Sequence, residues 1–201
     1  MTTETARIEA FSDGVFAIAI TLLILEVKVP AAGSGRLSRQ LVAQWPSYFS
    51  FAISFAFIGI MWINHHRLFT HIRRSDHLLP ALNLLLLMGV TFVPFPTAVL
   101  ATHLRGPDKN TAAALFNGTY LAIAIFFNLL WRYAASRRRR LLSPDADMAS
   151  VRRITRQYSV GPLMYLICLA LVWVNVLASL ALNLLLACFF AFPPRRAREA
   201  G

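Results

Sequence analysis

Long apolar runs separated by arginine-bearing segments constrain this chain more than any other feature. About 20 apolar residues is the length that crosses the hydrocarbon core of a bilayer as a helix. Six such runs can be traced, over about residues 7–28, 38–66, 78–100, 111–134, 154–174 and 175–192. In hydrocarbon a backbone has to satisfy its own polar groups, so each run reads as a helix. The expected fold class is all-α: a polytopic membrane protein with six transmembrane helices in one domain, residues 1–201. The composition agrees, with 57% of residues hydrophobic and 14% charged, against about 45–50% and about 25% in soluble domains. Six spans and their loops leave no room for a separate soluble domain.

The boundaries follow from local signals. Pro30, Gly33 and Gly35 end the first run in a turn. The second leaves through Trp62, Asn64, His65, His66 and Arg67, and Pro94 and Pro96 predict a kink near one end of the third. The turn between the fifth and sixth runs is very tight. Pro193 and Pro194 stop the last before Arg195, Arg196 and Arg198. No internal repeat relates the two halves.

The net charge of +11 would suit nucleic acid if it lay on one soluble face. Instead the charges lie between the apolar runs. With the N-terminus in the cytoplasm, the outside loops hold Lys28, Arg36, Arg39, Arg105 and Lys109, and the rest of the 20 Lys and Arg residues fall inside. A bias of about three to one places both termini in the cytoplasm. The basic residues, including Arg137 to Arg140, are expected to meet anionic lipid at that face, with no nucleic-acid partner. The N-terminus lacks the basic start of a secretory signal, so the first span is expected to remain in the mature protein. Cys168 and Cys188 sit in apolar runs without metal or redox spacing and are expected to be packing residues.

The first run, RIEAFSDGVFAIAITLLILEVK, opens with polar residues: Arg7, Glu9, Ser12 and Asp13. A carboxylate at the bilayer centre costs roughly 2.5–3.5 kcal/mol on the insertion scale, so intramembrane acids usually have partners and a task. Two readings are open. Ser12 or Asp13 begins the helix as a cap, with residues 1–11 outside the membrane. Alternatively, Asp13 joins Asn64, His65 and His66 at the same level in a hydrogen-bonded cluster between two helix ends. Further along, Ile18, Thr21, Leu22 and Leu25 fall at i, i+3, i+4 and i+7, continued by Gly14 and Ala17. Such a stripe is ordinary helix packing, or a pore lining if several copies surround an axis. His65, His66, His71 and His77 lack zinc-protease spacing, and no metal or other cofactor is expected. Asn117-Gly118-Thr119 lies inside an apolar run, which argues against glycosylation. No carbonyl filter of the TVGYG type is present. The spans hold no paired nucleophile and base, so no enzyme is expected.

Three separated segments together resemble one family. Arg7, Phe11, Ser12, Asp13 and Gly14 reproduce the R-x-x-x-F-S-D start of the first helix in transmembrane protein 175-type potassium channels. Trp62 to Phe69 is similar to the family's W-x-x-H-H-x-x-F pattern, and Phe92-Val93-Pro94-Phe95-Pro96-Thr97 is similar to its third helix. Prokaryotic members carry a single six-helix unit, as this length allows. The resemblance implies a homotetramer in the cell membrane whose first helices line a central pore. It implies a potassium-permeable, moderately selective cation channel, with potassium as the permeating ion. Ile18, Leu22 and Leu25 would form the constriction, and Thr21 the polar position linked to potassium preference. Arg7, Phe11, Ser12 and Asp13 would join Asn64, His65 and His66 in a hydrogen-bond network that supports the pore helix. An apolar ring cannot replace a hydration shell, so it gates by dewetting or passes ions that keep some water. The second reading is a small secondary transporter or permease with Asp13 as an ion- or proton-coupling acid. Against it, Asp13 lies near the cytoplasmic end and the first run holds no Pro.

Overall fold

A computed structural model of the chain describes residues 5–30, 36–136, 138 and 140–191. Ala31 to Gly35, Arg137, Arg139 and the expected stop at Pro193 and Pro194 with its arginines lie outside the described residues. The helices are α1 (Ala6–Leu22), continued by a 3-10 turn (Leu23–Glu26), then α2 (Leu37–Ala43), α3 (Trp45–Phe69), α4 (Leu78–Phe92), α5 (Pro94–His103), α6 (Lys109–Ala134), α7 (Met148–Leu171) and α8 (Val176–Ala191). The fold is all-α, and among the described residues the β structure is one isolated antiparallel bridge, Ile72 to Leu142.

Two expected spans are each divided. The second breaks at Gln44, after which Pro46 sits in the first turn of α3, where its missing N–H leaves no bond unmade. The third breaks at Val93, and Pro94 opens α5. Val93 keeps helical angles, φ −54° and ψ −40°, so α4 and α5 form one interrupted span and not a hairpin.

The fifth helix starts earlier than expected because Asp147 caps it, accepting from the backbone N–H groups of Ala149 (2.9 Å) and Ser150 (3.1 Å). Its first turns are polar, which an apolar run does not reveal. Between α7 and α8 the turn runs over residues 172–175. Asn175 ends it by accepting from Ala178 N–H at 3.0 Å. Among the described residues, four helical segments are long and apolar enough to cross a membrane: Ala6–Glu26, Trp45–Phe69, Leu78–His103 and Lys109–Ala134. α7 carries Arg152, Arg153 and Arg156 in its first half, and α8 has 16 residues, so these two fall short of that length by their apolar parts alone.

Helix α6 is the central post. Phe116, Tyr120, Ile123, Leu130 and Trp131 on it are buried, and α4, α5, α7 and α8 pack around it. Asn117 donates to Ala113 O (2.8 Å) and accepts from Asn183 of α8 (2.6 Å). A buried polar side chain in this setting is retained only with such partners. Cys168 is buried, whereas Cys188 is exposed and lies outside the packed interior.

At one end of the bundle the loops clasp each other. Arg73 N–H donates to Leu141 O (3.0 Å) and Ser143 N–H to His71 O (2.9 Å). Thr5, just before α1, donates its hydroxyl to Ile72 O at 3.1 Å.

Candidate functional site

Helix α1 has two faces of different kinds. Ser12, Phe16, Ala19 and Leu23 are buried, at spacings of three and four that keep them on one side. Arg7, Ala10, Phe11, Gly14, Ala17, Ile18, Thr21, Leu22 and Leu25 are exposed in the protomer. Ile18 is 60% exposed, Leu22 43% and Leu25 63%. The stripe expected from spacing is thus a continuous open face.

The far end of that face is tightened by the 3-10 turn. In a 3-10 helix side chains three apart eclipse, which brings Leu22 and Leu25 into line. Lys28 donates to Leu25 O at 3.3 Å and places its charge where the helix dipole is negative. The Thr21 hydroxyl is directed at its own backbone, toward Ala17 O (3.0 Å) and Ile18 O (2.9 Å). A hydroxyl has one proton to give and lone pairs left over. With its proton turned back onto the helix, the Thr21 oxygen presents acceptor capacity outward.

The buried side is held by polar contacts at the opposite end. Ser12 donates to Ile8 O (2.8 Å) and accepts from Asn83 Nδ2 of α4 (2.9 Å). Asn83 Oδ1 meets His65 Nε2 of α3 at 2.9 Å. Phe16 and Phe69 pack against the His65 ring, at 5.4 and 4.5 Å between centroids. Asp13 accepts from Trp62 Nε1 at 2.8 Å. Glu9 Oε1 lies 2.7 Å from His66 Nδ1. Three helices are therefore joined by polar contacts at this end, while the opposite face of α1 is left exposed in the protomer.

Residues 7–94 match the family model described as "Endosomal/lysosomal potassium channel TMEM175". The chain is 52% identical over 191 residues to a potassium channel of Chamaesiphon minutus, covering 94% of each protein. The chain belongs to the TMEM175 family. It is also 45% identical over 201 residues to a potassium channel of Streptomyces collinus, covering 98% of this chain and 97% of that one. The crystal structure of a lysosomal potassium-selective channel TMEM175 homologue from Chamaesiphon minutus matches with a TM-score of 0.84 at 50% identity, over 94% of this chain and 96% of that chain. This TMEM175 chain is thus a membrane protein of a potassium channel family. The relatives are named as channels and not enzymes, in agreement with the sequence expectation.

Within the TMEM175 fold the cap reading of Ser12 and Asp13 is corrected. α1 already begins at Ala6, so both residues stand inside the helix, with Ser12 fully buried. Ser12, Asp13, His65 and His66 are brought together in the cluster. Arg7, Phe11 and Asn64 are not. Arg7 and Phe11 lie on the open face, and their side chains make no hydrogen bond among the described residues. Asn64 points the other way, into a cavity of about 50 Å³ lined by Met61, Tyr120, Tyr158 and Tyr165 among others, where its Oδ1 has no partner. The reason is helical: at about 100° per residue, Asn64 stands one step round α3 from His65 and two steps from His66, on the side turned away from α1. Three members lie outside the expected set: Glu9, Trp62 and Asn83. Trp62 belonged to the matched motif and received no role. Asn83 is the one amide in the run Leu78 to Leu87, and a lone polar residue in such a run is itself a signal.

Proposed function

We propose that this protein is a potassium-permeable, moderately selective cation channel in which four copies place their α1 helices around a central pore. The open face of α1 carries the reading. Beyond Arg7 it is apolar except for Thr21, it runs the length of the helix, and the helix is fastened from behind by Ser12, Asp13 and Glu9. Ile18, Leu22 and Leu25 form the constriction, conducting passively and gating by dewetting or widening. Thr21 turns its oxygen lone pairs toward the axis beside them and biases the ring toward cations. Arg7 and Phe11, on the same face, meet neighbouring copies or the pore mouth. The biased distribution of arginines supports cytoplasmic termini, a cell-membrane location and contact with anionic lipid. No cofactor is required beyond the permeating potassium.

The test is purified protein in a planar bilayer under opposed potassium and sodium gradients. A reversal potential displaced toward potassium equilibrium is the expected outcome. A flux that requires a proton gradient instead points to the transporter reading, with Asp13 as the coupling acid. The bond from Trp62 to Asp13 makes a discriminating variant available: Trp62→Phe releases the acid without removing it. In a channel it alters stability, while in a transporter it shifts the pH dependence of coupled flux.

A further inference from the structure

Helix α7 carries an arrangement that the pore does not use. Arg153, Arg156, Gln157, Val160 and Met164 fall at i, i+3, i+4, i+7 and i+11, on one face of the helix. Together with Phe189 of α8 they line a groove of about 240 Å³. The groove is polar at one end and apolar along the rest. Arg153 and Arg156 are exposed and form no ion pair or hydrogen bond among the described residues. Phe189 is 56% exposed and packs edge-on against the buried Phe190, with centroids 5.4 Å apart, so it forms a fixed wall.

The level of the groove in the bilayer follows from the helix itself. Residues 152–159 are mostly polar, and Arg132 donates to Ser159 at 3.1 Å. From Val160 onward the outward residues Val160, Leu163, Leu166 and Ile167 are apolar and exposed. The change of character at about residue 160 marks the boundary between headgroups and acyl chains. The two guanidiniums therefore stand at headgroup level, and Val160, Met164 and Phe189 continue below them. Guanidinium binds phosphate in a planar, paired geometry.

We infer that the α7–α8 groove is a binding site for one anionic phospholipid, with the phosphate held by Arg153 and Arg156 and an acyl chain lying along Val160, Met164 and Phe189. This rests on the membrane orientation proposed above and adds a defined site to it. The main packing partners of α7 are α6 and α8, and the residues that line the groove lie on α7 and α8, so the site is separate from the proposed pore face on α1.

Native mass spectrometry of the full-length protein, released from detergent in the presence of phosphatidylglycerol or phosphatidylcholine, tests it. The parent is expected to retain phosphatidylglycerol in preference. Replacing two surface charges, each effective at an anionic headgroup, with R153Q/R156Q is expected to reduce that retention by about tenfold or more. The control pair R73Q/R74Q, at exposed arginines outside the groove, is expected to retain it. Phe189→Ala is expected to weaken retention of long-chain phosphatidylglycerol while sparing the short-chain dihexanoyl form. Equal retention by R153Q/R156Q and the parent, or equal loss in both double variants, overturns the assignment. So does full displacement by inorganic phosphate, which identifies a bare anion site. Potassium flux measured on the same preparations reports separately on the channel reading, and an unchanged oligomer by size-exclusion chromatography confirms that the variants are folded.

Discussion

Helices α1 and α6 are both long and apolar, yet the protomer treats them differently. In α6, 44% of the most apolar window is buried inside the protomer; in the first span it is 22%. α6 is surrounded by α4, α5, α7 and α8, and its polar Asn117 is paired within that interior. α1 is packed on one side and bare on the other. Ser12, Asp13 and Glu9 make their contacts on the packed side near one end, and beyond Arg7 and Phe11 the bare side is a stripe of Ile, Leu, Ala, Gly and Thr. Hydropathy does not separate the two helices; burial does. The exposed stripe on α1 is the surface that the proposed assembly would cover.

Substitutions on the bare face bear most heavily on this contrast. Leu25→Asn or Ile18→Asn is expected to change single-channel conductance several-fold and to lower the preference for potassium. Ile125→Asn, on the outer side of α6 where that residue is 40% exposed, is expected to leave both unchanged. Bilayer recordings in which the α1 variants match the parent break the assignment of the open face.

The packed side gives the next effect. Asn83→Leu removes the partner of His65 Nε2, and His65 Nδ1 already lacks one. A buried polar group left unpaired costs about 1–3 kcal/mol, so thermal unfolding followed by tryptophan fluorescence is expected to shift down clearly. Asp13→Ala is expected to impair assembly or expression. Normal tetramers with normal currents from both variants remove the supporting role of the cluster.

Two glycines sharpen the same comparison. A Cβ at Gly89 meets Ile123 Cγ1 at 2.9 Å, whereas a Cβ at Gly14 meets nothing within 4 Å. Gly89→Ala is expected to destabilise the protomer by about 1–3 kcal/mol through overpacking. Gly14→Ala is expected to leave the protomer's unfolding temperature unchanged or slightly raised, through helix propensity, and to act mainly on the assembled form, visible as a changed oligomer distribution. A loss of stability in Gly14→Ala on the isolated protomer contradicts an open α1 face.

The smallest effect concerns the loop end. Burial holds the His71 imidazole below its usual pKa of 6.5, partly offset by the Asp147 carboxylate. The neutral ring is thus favoured in the folded protein, and the unfolded chain binds the extra proton. This contribution is fully present above the unfolded pKa and is lost as pH falls through the folded value. Unfolding temperature is expected to decline as pH drops from roughly 7 to 5, and His71→Gln is expected to flatten that decline. An identical pH profile in the variant assigns the acid sensitivity to other groups.

Much of this was legible in the residues, for identifiable reasons. The apolar runs located the helices because the bilayer tolerates little else. The Ile18 to Leu25 stripe was legible because helical spacing is rigid. Ser12, Asp13, His65 and His66 could be placed at one level by counting turns from each helix end. The direction of Asn64 could not, because it depends on which neighbours surround α3. Asn83 was hidden by its leucines, since an amide in a span announces a partner without naming it. The start of α7 was missed because a polar helical turn looks like a loop until its cap, Asp147, is seen accepting from the backbone.

The clasp at Ile72 gives the molecule a mechanical joint. Three stretches of chain meet there: the residue before α1, the link between α3 and α4, and the segment that leads into α7. The peptide group between Ile72 and Arg73 serves two of these stretches at once, its N–H held by Leu141 O and its C=O by the Thr5 hydroxyl, while the adjoining His71 C=O takes the Ser143 N–H. The start of α1 is thus stitched to both loops at a single turn of chain.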